Sequence, residues 1–174
     1  MLSRTIIEQS ITQALASAHQ SAVDAAKRAH DTATGTDSVA ENKYDTFGLE
    51  ASYLAHGQSV RVAECKADIH NYQQMFALYN QRAALSSQKT SAANGTKHIG
   101  LGDFIELIDD QDKVTRLFIG PSAGGLKVAI EQGSFMLITP QSPLGQQIFN
   151  CELDAEIVLT IAGVVHRYEI SAIG

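Results

Sequence analysis

The chain has no tryptophan, three prolines and two cysteines among its 174 residues, and only 6 % of it is aromatic. Scarce aromatic side chains argue against a pocket walled by rings. Cys65 and Cys151 fall in separate segments without metal-ligand spacing, and two cysteines do not make a disulfide framework, so both are expected as free thiols. Basic residues are the minority, 13 against 19 acidic ones, for a net charge of −6 and a pI near 5.4. That balance excludes a broad phosphate-gripping surface and points to a protein partner. No apolar run approaches the roughly 20 residues needed to cross a bilayer. Glu8, Gln9, Ser10, Thr12 and Gln13 interrupt the amino end, unlike the continuous apolar core of a signal peptide, so a cytoplasmic protein with no membrane partner is expected.

What the chain does have is enough apolar residues to build a core, 44 %, arranged in two different ways. From Leu2 to His30 there is neither proline nor glycine, and Leu2, Ile6, Ile11, Leu15, Ala18, Ala22, Ala25 and Ala29 recur at helical spacing. A helix of roughly 30 residues would be about 45 Å long. Residues Thr32 to Ser38 break the pattern with β-branched residues, Gly35 and two cap formers, which reads as a turn. Helical spacing resumes at Leu49, Tyr53, Val60, Ala63, Ala67, Tyr72, Phe76 and Tyr79 and runs to about Leu85. Two long helices with a short connector fold back as an antiparallel coiled-coil hairpin. Residues 1–85 are therefore expected to form that hairpin, with residues 31–50 at its tip. Asp31, Asp37, Glu41, Asp45 and Glu50 face Lys43 alone there, a local net charge of −4.

Residues 86–97, rich in Ser, Ala, Thr, Asn and Lys, read as a linker. Beyond it, residues 98–174 carry short β-prone runs: Phe104 to Ile108, Thr115 to Ile119, Phe135 to Ile138, Ile157 to Ile161 and Arg167 to Ile170. Pro143 to Phe149 reads as a short helix with Ser142 as its cap and Pro143 in its first position. The expected class is α+β, a helical hairpin followed by a small antiparallel-sheet domain with one short helix. Gly120 to Lys127 has glycines and a lysine but not the ending of a phosphate loop, and it reads as a hairpin or loop. The six histidines, at positions 19, 30, 56, 70, 98 and 166, form no His-x-x-x-His pair. Neither an intrinsic metal nor an independent hydrolase is expected.

Ile138-Thr139-Pro140-Gln141-Ser142-Pro143-Leu144-Gly145 resembles the serine-proline-x-glycine signature of the bacterial Gre transcript-cleavage factors. Gly102 to Ile108 looks like that family's opening strand, Thr115 to Pro121 its strand ending in Gly-Pro, and Asp154 to Thr160 its penultimate strand. The segment from Tyr53 to Glu64 is similar to its ascending helix, and the tail is similar at fold level to FK506-binding-protein domains. Such a resemblance implies an accessory factor, not an enzyme, that binds RNA polymerase at the rim of the secondary channel. Its tip carboxylates would assist the polymerase's own Mg²⁺ in cleaving backtracked RNA and so come near the nascent transcript.

Under that resemblance, Asp45 and Glu50 are the first tip acids to consider, with Glu41 and Asp37 behind them, while Gln141, Ser142, Pro143, Leu144 and Gly145 form the docking turn. With Tyr53 aligned on the family tyrosine, the two expected tip acids fall at Thr46 and Leu49, one position from Asp45 and Glu50. A factor that occupies the channel without promoting cleavage is therefore the nearest rival. A peptidyl-prolyl isomerase-like peptide-binding module and a coiled-coil adaptor without a role in transcription are rivals from other classes. The bland reading of the acids is a solvated, helix-capping charge run, and that of Tyr44, Phe47 and Tyr53 is packing at the hairpin end.

Overall fold

The computed structural model describes residues 3–34, 47–86, 97–161 and 163–174. Two long helices lead the chain, α1 (Arg4–Thr34) and α2 (Phe47–Ser86). Six strands and one short helix follow: β1 (Phe104–Asp109), β2 (Val114–Ile119), β3 (Lys127–Ile130), β4 (Gly133–Ile138), α3 (Pro143–Ile148), β5 (Glu156–Ile161) and β6 (Val164–Ile173). No described helix is long and apolar enough to cross a membrane. Asp37, Glu41, Asp45 and most of the 86–97 segment lie outside the described residues.

Packing divides the chain within its helices. One unit holds Leu15–His70, and the other holds Met1–Ala14 with Asn71–Gly174.

In the first unit the two helices form a hairpin whose buried positions follow a heptad. On α1, Leu15, Ala22 and Ala29 are buried at intervals of seven, with Ala18 and Ala25 half-buried between them. On α2, Ala51 and Cys65 are buried, with Gln58 half-buried midway between them. Ala55, Val62 and Ile69 supply the second half-buried row. That is the a/d seam of an antiparallel pair. The expected stripe on α2 is corrected here. Leu49, Tyr53, Val60, Ala63 and Ala67 are exposed, Tyr53 by 69 %. On α2 the central row of the seam is thus Ala51, Gln58 and Cys65, while the bulkier Leu49, Tyr53 and Val60 face solvent. The first helix also runs past its expected end. Thr32 Oγ1 and Thr34 Oγ1 donate to the carbonyls of Arg28 and His30 at 2.9 Å, so these hydroxyls bond back within the last turn instead of opening it.

The second unit is a six-stranded sheet in the order β3-β4-β2-β1-β6-β5. Every pairing is antiparallel except β2 with β4, which run parallel through Leu117↔Met136 and Ile119↔Ile138. The sheet is thus mixed, a correction to the wholly antiparallel expectation. Its cause is β3, which turns the chain back before β4 and lets β4 return alongside β2. The hairpin or loop read from Gly120 to Lys127 thus ends in a strand that the sequence reading does not contain, and only Val128 of its four residues is buried.

Alternation gives the sheet two dissimilar faces. Ile105, Leu107, Leu117, Ile119, Ile138, Ile157 and Ile170 form an aliphatic face that α3 covers with Ile148. Phe104, Phe118 and Phe135 form the other, over which Tyr72 and Phe76 of α2 pack, with ring centroids 5.3–6.5 Å apart. Arg4 lies 3.1 Å over the Tyr79 ring and donates through Nη1 to the Gly102 carbonyl at 3.2 Å, tying the start of α1 to the same body.

Gly120 explains the glycine of the Gly120-Pro121 pair. Tyr72 is 1 % exposed, and its hydroxyl donates to the Ser122 carbonyl at 3.1 Å. A Cβ at Gly120 would overlap the Tyr72 hydroxyl oxygen and come within 2.6 Å of Cζ. Gly120→Ala is expected to lower the stability of the sheet unit by about 2 kcal/mol, a typical overpacking penalty when a side chain must yield. Chemical denaturation read by near-ultraviolet circular dichroism, sensitive to Tyr72, checks it.

Candidate functional site

The turn from Thr139 to Gly145 follows β4 and starts α3. Thr139 accepts two bonds on its carbonyl oxygen, from the Ser142 amide at 3.0 Å and from Ser142 Oγ at 2.7 Å. The same Oγ accepts from the Gly145 amide at 3.1 Å and so caps the helix. Ser142 is extended, with φ −67° and ψ 153°, and Pro143 occupies the first turn, where its missing N–H leaves no bond unmade. The Gln146 amide donates to the Ser142 carbonyl at 2.9 Å, and Gln146 Nε2 donates to the Gln141 carbonyl at 3.0 Å.

Gly145 is fixed by crowding. It is buried, and a Cβ there would overlap the Thr139 carbonyl and approach Ser142 Oγ to 2.8 Å. The Thr139 carbonyl and the hydroxyl and amide of Ser142 are thereby bonded within the turn. What remains for a partner is Gln141 and Pro143, both exposed, beside a half-buried Ser142. Leu144 leans on the aliphatic core. The Phe149 amide returns to the Gly145 carbonyl at 2.9 Å, and Asn150, at φ 66°, sends its amide to Ile99 at 2.9 Å. These bonds anchor the far end of α3 to the start of the domain.

Of the candidate acids Asp37, Glu41, Asp45 and Glu50, only Glu50 is described. It is exposed in the first turn of α2, where a carboxylate favours the positive end of the helix dipole. Asp31 is likewise exposed, in the last turns of α1. Tyr53, read from the sequence as packing at the hairpin end, instead projects into solvent one turn beyond Glu50. Among the described residues no group of three or more His, Cys, Asp or Glu is placed to hold a metal ion.

The architecture thus defined is an α+β one, a helical hairpin followed by a mixed-sheet domain with an exposed serine-proline turn. Three solved structures resemble it along nearly the whole chain. GreA factor homolog 1 (Gfh1) of Thermus thermophilus is 16 % identical, with 94 % of each chain covered and a TM-score of 0.37. A second structure of the transcription factor Gfh1 is 14 % identical over 93 % of this chain and 92 % of that one, and Thermus aquaticus Gfh1 is 18 % identical over 99 % and 96 %, both again at 0.37. No protein-family model matches the chain, and no curated protein does. At these identities the likeness assigns no activity.

Proposed function

We propose that this protein is an accessory factor of bacterial RNA polymerase, in which the helical hairpin reaches into the secondary channel while the sheet domain rests on the channel rim. The observation that carries this reading is the Thr139–Gly145 turn. It is internally bonded and crowded at Gly145, so Gln141 and Pro143 are presented in a fixed position at no further ordering cost. The resemblance of this turn to the Gre signature supplies the polymerase as partner. Gln141 is uncharged, so contact there depends on shape more than on charge complementarity.

At the other end the chain's contribution is carboxylate. Asp45 and Glu50 first, then Glu41 and Asp37, would bring oxygen ligands toward the Mg²⁺ held by the polymerase, which is the partner's ion. Oxygen-rich coordination suits that ion, and a carboxylate can orient an attacking water. The exposure of Glu50 in the first turn of α2 supports this reading. The rival within the class, occupancy without cleavage, is favoured by one sequence observation: Thr46 and Leu49 stand where the family's acids align.

Purified backtracked elongation complexes separate the two readings. Wild-type protein is expected to accelerate RNA cleavage, and Asp45→Ala or Glu50→Ala to reduce that acceleration by about tenfold or more, the usual scale for losing one positioned acid. Binding to polymerase should persist in both variants. Binding without acceleration would install the occupancy reading, and no binding at all would remove polymerase as the partner.

A further inference from the structure

The two edges of the sheet are treated differently by the sequence. On one side β3 is four residues long and begins with Lys127, the kind of short, lysine-bearing edge that resists pairing with another chain. On the other side β5 reads Glu-Ile-Val-Leu-Thr-Ile, six residues without proline, glycine or lysine. Among the described residues only β6 pairs with it. The Ile170 amide donates to Ala155 at 3.1 Å, and counting on by alternation, the pairs 157/168 and 159/166 face each other while the N–H and C=O of Glu156, Val158 and Thr160 point away from the sheet. A row of peptide groups with high β propensity therefore stands open.

The face beside that edge is acidic. On the aromatic side of the sheet Tyr72 and Phe76 of α2 pack on Phe118 of β2, whereas Glu156, Val158, Thr160, Arg167 and Glu169 on the same side of β5 and β6 are exposed. Here a trough of about 270 Å³ is lined by Asp110, Asp112, Glu156, Glu169 and Arg167, with Val158 on its wall, itself 47 % exposed. Glu156 and Glu169 lie directly opposite each other across the strands, a like-charge pair that weakens the sheet unless a positive group comes between them. Asp109 adds a persistent charge at the rim. Amides of Lys113 and Gln111 donate to it, and these bonds hold its carboxyl below the usual carboxylate range.

From these features we infer that β5 is a docking edge for an extended, basic segment of a partner protein, which adds as a seventh strand and sets alternate Lys or Arg side chains over Glu156, Glu169, Asp110 and Asp112. Strand addition supplies affinity through main-chain bonds, and the acid trough selects the charge of the incoming side chains. A nucleic acid is repelled by the same carboxylates. A second copy of this chain fits poorly for the same reason, since two acidic troughs would be brought together. The polymerase-rim turn plays no part, so this inference stands apart from the reading above.

The test uses the full chain and a fluorescein-labelled peptide, Lys-Val-Lys-Ile-Lys-Val-Lys, followed by anisotropy. Saturable binding is expected, weakening severalfold as salt rises from roughly 0.05 to 0.2 M. The same peptide N-methylated at alternate residues keeps its charge and loses its ladder donors, and should bind at least about tenfold more weakly. In the protein, Val158→Pro removes an outward N–H at an edge position where proline is tolerated, and should weaken the parent peptide to a similar degree. Equal binding of the methylated peptide would reduce the site to charge attraction and overturn the inference. So would absence of saturation up to roughly 1 mM, or a dimer seen by sedimentation that Val158→Pro dissolves. Because the methylated peptide is read against wild-type protein, the outcome does not depend on the variant folding.

Discussion

Phe118→Ala is expected to destabilise the sheet unit by about 4 kcal/mol, within the range for emptying a buried phenylalanine site. The ring is 1 % exposed and touches three others: Tyr72 and Phe76 from α2, at 6.4 and 6.5 Å, and Phe135 from β4, at 6.5 Å. Its loss therefore leaves a void between helix and sheet that neither can fill, since β2 is held by β1 on one side and β4 on the other. For a chain of this length the change corresponds to a fall in Tm of roughly 10 °C. Calorimetry gives the shift. Phe118→Leu, which keeps most of the volume, should recover more than half of it. A Phe118→Ala protein that melts within about 2 °C of wild type would show that the aromatic face is not the main tie between α2 and the sheet.

Gly145→Ala is expected to cost about 3 kcal/mol, at the upper end of overpacking penalties, because the added methyl meets main-chain oxygen and not a side chain that can swing away. Relief requires the Thr139 carbonyl to withdraw, which breaks its bonds from Ser142 N and Ser142 Oγ together. Ser142→Ala removes the cap and leaves the backbone bond intact, and should cost only about 1 kcal/mol. The ordering of the two variants, read from urea midpoints at equal m-value, is the measurement. Were Ser142→Ala the worse of the pair, the hydroxyl network and not the crowding at Gly145 would be what shapes the turn.

Much of this architecture was legible in the residues. The first helix declared itself by length and by the absence of proline and glycine, the second by helical spacing despite Gly48 and Gly57, and five of the six strands by short β-prone runs. Ser142 as cap, Pro143 after it and α3 beyond were readable because capping chemistry is local. Phase was harder to read than type. On α1 the sequence favours Ile6, which is 46 % exposed, while Ile7 beside it is buried. On α2 the bulky Leu49, Tyr53 and Val60 outshine Ala51, Gln58 and Cys65, although the smaller set is the one buried or half-buried, since side-chain hydrophobicity alone does not fix which face of a helix meets its partner. Strand β3 was missed because a single inward residue, Val128, carries no period. The reasons for Gly120 and Gly145 lie in contacts with Tyr72 and Thr139, the first of them 48 positions away in sequence, and no local pattern could announce it.

The place of β6 has a bearing on how the protein is made. Of the six strands it is made after the other five, yet it lies between β1 and β5 and contributes Ile170, which is fully buried. Its register with β1 joins Ile105 to Ile173, nearly the whole length of the domain apart. Until that segment emerges, β1 has one open edge and the aliphatic core is unfinished. The helices and the β2–β3–β4 part can form during synthesis, whereas closure of the sheet is a late, long-range event. A nascent chain arrested before Val164 would carry unpaired strands at both β1 and β5, and holding these apart until release is work for whatever meets the chain at the ribosome exit.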